Sequence, residues 1–269
     1  MQENTNNDIT IVTAFFDIGR GDWTPDKGFP HYLHRTVDTY FERFSYMAEL
    51  ENEMFVFTSP EFVDRIAELR GDRPTTIFQF DIKNEADDLR DLIELAYATP
   101  DYMVMINPRE RRNPEYWCAD YVIINLFKSV FARMASVQAK NNMLAWLDFG
   151  YCRSRDTLAG IKHWRYPFNQ DKIHLFNLKD YVPGTTIHHM IAENDVHITG
   201  PCIVASKAQW SRLEFLVFEG VKELLKSYLI DDDQLFLLLS YLAEPDEFEL
   251  HKVDASDWFV AFKEYAIKD

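Results

Sequence analysis

Over the first 150 residues, apolar runs of strand length alternate with longer segments whose apolar residues recur at helical spacing. Ile9–Phe16 (I-T-I-V-T-A-F-F), Met54–Thr58 and Thr75–Phe80 read as strands because β-branched and aromatic residues dominate them. Between and after them, His31–Leu50 carries Tyr32, Leu33, Val37, Tyr40, Phe41, Phe44 and Met47 on one helical face. Ser59-Pro60-Glu61 opens a second helix that stops at Gly71, and Asn84–Ala98 forms a third, acidic one. Pro114–Ala139 is the longest, with a stripe of Val122, Ile123, Leu126, Phe127, Val130, Phe131 and Met134. Lys128 falls between stripe residues and is expected at the edge of the buried face. Such alternation builds parallel βαβ units with right-handed crossovers, and therefore an α/β fold with a mostly parallel central sheet.

The run Met143–Leu147 (M-L-A-W-L) has no polar position, as in a strand covered on both faces. It delivers Asp148 to its carboxyl end, where open α/β sheets bind ligands. A carboxylate there holds a divalent metal or does acid–base work. The first strand ends in Asp17-Ile18-Gly19-Arg20-Gly21-Asp22-Trp23, a natural seat for a nucleotide base and its diphosphate. Arg20 is either a phosphate partner, through its bidentate fork, or a surface arginine on a glycine-rich turn. Ala14, Asp17 and Arg20 are thus candidate nucleotide-pocket residues, with Lys128 as a phosphate candidate and Trp146 beside it.

Beyond Gly150 the pattern loosens. Arg153–Asp171 is irregular, aromatic and basic, and short strands are expected at Ile173–Leu178, Thr185–Met190 and Val196–Ser206, the last broken by Gly200-Pro201. Helices Ala208–Leu229 and Asp233–Leu242, a strand near Phe248–Val253 and a short helix containing Trp258 close the chain. One domain is expected, with residues 1–150 as the nucleotide-binding half and 151–269 as a smaller mixed half that supplies a second substrate's surface.

Asp231-Asp232-Asp233-Gln234 begins a helix, where capping and the dipole account for one or two acids. Three in a row repel one another, which makes Asp232 and Asp233 the candidate general base. His188-His189 on a strand would point to opposite faces, whereas His251 is a candidate second metal ligand beside Asp148 or simply a structural histidine. Trp23, Trp146, Trp164 and Trp210 are core residues or sugar-stacking surfaces.

The net charge of −16 argues against nucleic-acid partners, which require a basic face, and leaves room for a phosphorylated ligand offset by a cation. Its polar start (M-Q-E-N-T-N-N-D) does not read as a signal peptide, and no apolar run approaches the ~18 residues of a membrane span. Three separated cysteines suit a reducing compartment, so the cytoplasm is expected. No phosphate loop, dinucleotide fingerprint, nucleophile elbow or Asp-x-Asp-Gly-Thr phosphatase signature occurs.

T-I-V-T-A-F-F-D-I-G-R at Thr10–Arg20, W-L-D-F-G-Y at Trp146–Tyr151, I-T-G-P-C-I-V-A-S at Ile198–Ser206 and D-D-D-Q at Asp231–Gln234 resemble the HtrL/YibB-like family of bacterial proteins. Members look like glycosyltransferases of the GT-A type and are often encoded in lipopolysaccharide or capsule loci. The resemblance implies a hexosyltransferase with a UDP-sugar donor, a surface-glycan acceptor that is lipid-linked in some cases, and at most peripheral membrane association through the basic loop Arg153–Arg165. It also implies Mn²⁺ or Mg²⁺ on an acidic motif, often Asp-x-Asp, at Asp148. Here Gly150 stands where the second acid would be. A sugar-nucleotide hydrolase or nucleotidyltransferase, and a non-catalytic binding protein on the same fold, are the alternatives.

Overall fold

The computed structural model describes residues 7–268, so the polar start over residues 1–6 lies outside it. Seven strands, β1 (Ile9–Phe15), β2 (Met54–Thr58), β3 (Thr75–Gln79), β4 (Met143–Leu147), β5 (Ile173–Asn177), β6 (Ile198–Ser206) and β7 (Phe248–Lys252), form one sheet in the order β3-β2-β1-β4-β6-β5-β7. Only β6 runs against the others: β4 and β5 pair with it antiparallel, and every other pair is parallel. The fold is therefore α/β with a mostly parallel sheet drawing strands from both halves of the chain.

Helices cover both faces. They are α1 (Val37–Met47), α2 (Val63–Arg70), α3 (Ile82–Glu85), α4 (Asp87–Tyr97), α5 (Pro100–Met105), α6 (Ala119–Ser136), α7 (Ile187–Glu193), α8 (Lys207–Lys226), α9 (Asp233–Ala243) and α10 (Ala261–Glu264). Val12, Ala14, Leu144 and Trp146 pack under α6 and α8 on one face, while Ile9, Ile11, Met143, Ala145 and Leu147 pack with α1 and the C-terminal segment on the other. With both faces covered, every residue of β1, β2 and β4 is buried, which is why these strands read as unbroken apolar runs.

Two expectations are corrected and one is refined. Residues 185–190 are not a strand: Thr186 accepts from the His189 N–H and starts α7, so His188 and His189 are successive helical residues. Gly200-Pro201 does not end β6, which is continuous over nine residues, but it does interrupt the pairing: from Leu175↔Ile203 to Phe176↔Thr199 the ladder with β5 skips Gly200, Pro201 and Cys202. The closing helix is α10, and Trp258 precedes it.

Candidate functional site

The chain steps outward from β1 to β2 to β3, then returns through α6 to β4 on the other side of β1. That reversal leaves a crevice between the carboxyl ends of β1 and β4, the expected ligand position in an open α/β sheet. Ala14, Asp17, Arg20, Lys128, Trp146 and Asp148 all line the cleft found there. Past Phe16, Asp17 and Ile18 the cleft runs into a wider hollow of about 420 Å³ over the ends of β1, β2 and β3.

Below the cleft, three charges form one node. Lys128, only 4% exposed, places Nζ 2.9 Å from Asp148 Oδ1 and 2.6 Å from Asp233 Oδ2, and donates to the Gly200 carbonyl at 3.1 Å. Burial opposes the lysine's charge, but Asp148 and Asp233 outweigh it and raise its pKa above the ordinary value. The short contact to Asp233 marks an ammonium–carboxylate pair. Lys128 is therefore enclosed rather than at the edge of its helix face, because a buried amine is tolerated only where acids surround it. Asp148 Oδ1 also accepts from Trp146 Nε1 at 3.0 Å, and its side chain remains 41% exposed, leaving Oδ2 toward the cleft. Gly200 is required by the approach of the node: a Cβ there would lie 1.8 Å from Asp233 Oδ2.

The other acids face inward. Asp232 caps α9 by accepting from the Gln234 N–H, and Asp231 accepts from the Asp232 N–H. Burial, then the neighbouring Asp233, pushes the Asp232 carboxyl well above its usual range, and burial brings Asp231 up to about 7. Glu115, joined to Asn194 at 3.3 Å, is pushed up to about 8 by burial and then by Asp231. Of the two candidate bases, Asp233 reaches the cleft only through Lys128, and Asp232 opens onto a different, small cavity beside His197. The acidic run is tolerated because each acid has its own partner. Neither Asp232 nor Asp233 faces the cleft.

Arg20 is likewise occupied. Its Nε and Nη2 donate to the Leu33 carbonyl, Nη1 donates to Tyr40 Oη at 3.0 Å, and its guanidinium lies over Trp23. The cations in and behind the cleft wall are ones the sequence did not single out for phosphate. Arg35 and Arg153 line it, and Arg43 lies behind Gly150 with Nη1 shut from solvent and without a hydrogen-bond partner among the described residues. None of the three has an ion-pair partner among the described residues. Burial, then Arg35, holds the Arg43 pKa below the arginine value. Arg153 keeps much of its surface open, yet its head is hemmed in by protein and by Arg35 and Arg43, which bring it down to about 10. Three crowded guanidiniums without ion-pair partners among the described residues make this wall of the cleft cationic in a chain of net charge −16. In the basic loop, Arg153 turns to this cleft, Arg155 pairs with Glu49, and His163 with Asp8. Trp164, like Trp23, Trp146 and Trp210, is buried.

The structure does not bring His251 to Asp148. β7 lies beyond β6 and β5 from β4, three strand spacings or roughly 14 Å away. At Asp148 the donors for Mn²⁺ or Mg²⁺ reduce to a single free carboxylate oxygen, because Lys128 occupies the other side and Gly150 brings none. Mg²⁺ at a phosphate site takes one or two carboxylates and fills the rest of its shell with phosphate oxygens and water, so these residues offer it one carboxylate, for which Lys128 competes.

Fold and cleft together define an open α/β protein with a cation-walled ligand crevice at its topological switch point. The chain belongs to the HtrL_YibB family, the one its motifs pointed to: the family model, described as "Bacterial protein of unknown function (HtrL_YibB)", matches residues 7–267. It is 39% identical over 259 residues to Protein HtrL of Escherichia coli (strain K12), covering 94% of this chain and 91% of that one. Among solved structures, it is similar to apo mouse xyloside xylosyltransferase 1, with a TM-score of 0.43 and 13% identity over 97% of this chain and 94% of that chain.

Proposed function

We propose that the chain is a glycosyltransferase that moves a hexose from a nucleotide diphosphate sugar, UDP-sugar first, to a surface-glycan acceptor such as lipopolysaccharide or capsule, working in the cytoplasm. The observation that carries this reading is the pair of guanidiniums, Arg35 and Arg153, that line the cleft beside Asp148 with Arg43 packed behind Gly150, none with an ion-pair partner among the described residues. A diphosphate is the leaving group whose negative charge grows as the sugar–oxygen bond breaks. Fixed guanidiniums in a partly desolvated seat stabilise that charge without reorganising. The nucleoside then extends past Asp17 into the hollow over β1, β2 and β3.

Asp148 is the carboxylate with an oxygen open to the same space, so it takes over the base role first assigned to Asp232 and Asp233: Oδ2 receives the acceptor hydroxyl's proton as the new bond forms. Trp146 and Lys128 hold its other oxygen and are positioning residues. The arginines supply the charge that Mn²⁺ or Mg²⁺ supplies on a two-acid motif.

A panel of UDP-sugars, incubated with the chain in EDTA and assayed for free UDP, tests the reading without knowledge of the acceptor. One sugar is expected to be hydrolysed slowly, with Asp148→Asn lowering the rate at least about a hundredfold. UDP binding without turnover of any sugar would favour the non-catalytic binding protein instead. Absence of both binding and turnover would remove the nucleotide-sugar assignment.

A further inference from the structure

At the far edge of the sheet, β5 and β7 run parallel and in register, with His174 opposite Glu249 and Phe176 opposite His251. Period-two alternation puts His174, Glu249 and His251 on one face. His174 Nδ1 lies 2.9 Å from His251 Nε2 and 3.7 Å from Glu249 Oε2, and the three ligand atoms all fall within 4.8 Å of one another. We propose that His174 Nδ1, His251 Nε2 and Glu249 bind a divalent first-row transition ion, one per chain, separate from the cleft at Asp148.

Four features of the structure support this. First, the donor set is two imidazoles and a carboxylate, which suits a borderline ion and not the hard cations of a phosphate site. Second, the outer nitrogen of His174 is already fixed: Nε2 lies 2.8 Å from the Asn169 carbonyl, so it carries the proton and Nδ1 presents its lone pair inward. Such a hydrogen bond to the far nitrogen is the usual support of a ligating histidine. Third, two nitrogens 2.9 Å apart, each about 2.1 Å from an ion, subtend about 90° at it, which matches neighbouring positions on one face of a five- or six-coordinate centre. Fourth, the shell is apolar on one side and open on the other. The Phe168, Phe176 and Tyr265 rings surround His251, while the Glu249 side chain is half exposed and leaves an entry path.

Without an ion, the 2.9 Å contact requires a proton on His251 Nε2, donated to the bare Nδ1 of His174. With an ion, that proton moves to His251 Nδ1. The imidazole stays neutral, its Nε2 lone pair becomes a ligand, and no net proton is released. Burial favours neutral imidazole at both residues, since it lowers the His174 pKa and, with His174 beside it, brings His251 to about 4.

The ion would tie the edge strand β7 to β5. From β7 the chain returns beneath the sheet, where the Ala261 N–H donates to Tyr151 Oη at 3.0 Å, three residues past Asp148. The site is thus a clasp on the last segment of the fold, and it does not depend on the transferase reading.

Calorimetric titration of the chelator-treated full chain with Zn²⁺, paired with its melting temperature, tests the site. One equivalent is expected to bind and to raise the melting temperature. His251→Ala should weaken binding about a hundredfold or more and Glu249→Gln about tenfold, both with unchanged circular dichroism, while Asp148→Ala leaves the isotherm as it was. Failure of Zn²⁺ to bind, binding that survives both His251→Ala and Glu249→Gln, or loss of binding in Asp148→Ala would overturn the proposal. Because Glu249 is on the surface, its variant keeps the test decisive even if His251→Ala folds poorly.

Discussion

The two walls of the cleft hold charges in opposite states. On the β4–α6–α9 side, Lys128 is held within 2.9 Å of both Asp148 and Asp233, beside a glycine that leaves just enough room. On the α1 side, Arg35, Arg43 and Arg153 repel one another and lack an ion-pair partner among the described residues. The first wall has its charges tied up within the protein, apart from the outer oxygen of Asp148. The second holds charge in reserve for something that arrives. A buried charge satisfied within the protein supports structure, whereas a crowded, unpaired one marks where a ligand of opposite sign belongs.

The comparison breaks most visibly at its buried side. Lys128→Met leaves Asp233 without its counter-charge, and urea denaturation should show a loss of about 3–5 kcal/mol. Gly200→Ala, by forcing Asp233 aside, should cost about 1–3 kcal/mol by the same measurement. If Lys128→Met were neutral, the node would not be the framework described above.

A smaller effect comes from Glu115 and Asp231, the protonatable acids behind the node. Both have folded-state pKa values raised by burial, to about 8 and about 7, above those of the unfolded chain. The folded state therefore binds more protons between roughly pH 4 and 8, so their stabilising contribution is complete below pH 4 and fades as pH rises through 7 and 8. Glu115→Gln should flatten that decline. Melting temperatures should differ little between variant and parent at pH 5, and at pH 9 the variant should be more stable by about 1 kcal/mol or more. Equal melting temperatures at pH 9 would mean the buried carboxyl carries no such penalty.

Much of the fold was legible because its strands are buried on both faces and so announce themselves as apolar runs. The alternation before residue 150 also left little choice but parallel βαβ units. After that point local signals misled. Thr185-Thr186-Ile187 looks like strand sequence, but a threonine cap turns it into α7, and the interruption at Gly200 is visible while its reason, room for Asp233, is not local. In the site, Asp17, Lys128, Trp146 and Asp148 were visible as residues at strand ends or breaks in a helical stripe. What those charges do was not. That Lys128 is enclosed by two acids, that Arg20 is occupied by Leu33 and Tyr40, and that Arg35 and Arg43 meet Arg153 are consequences of packing between distant segments, which no spacing records. His251 carried a ligand's chemistry, but the strand order gives it His174 and Glu249 as neighbours.

The arginine wall is the central claim, and it should show the reverse of Lys128: little effect on stability and a large one on binding. Arg153→Ala, on an exposed side chain that lacks an ion-pair partner among the described residues and stacks on Phe259 at 4.5 Å, should change stability by no more than about 1 kcal/mol. The most direct test is calorimetric titration of the chain with UDP in EDTA, comparing the parent with Arg153→Ala. The account predicts that UDP binds without added metal and that the variant binds about tenfold to a hundredfold more weakly, the worth of one charge-assisted contact. UDP binding that requires Mn²⁺ and is indifferent to Arg153 would contradict it.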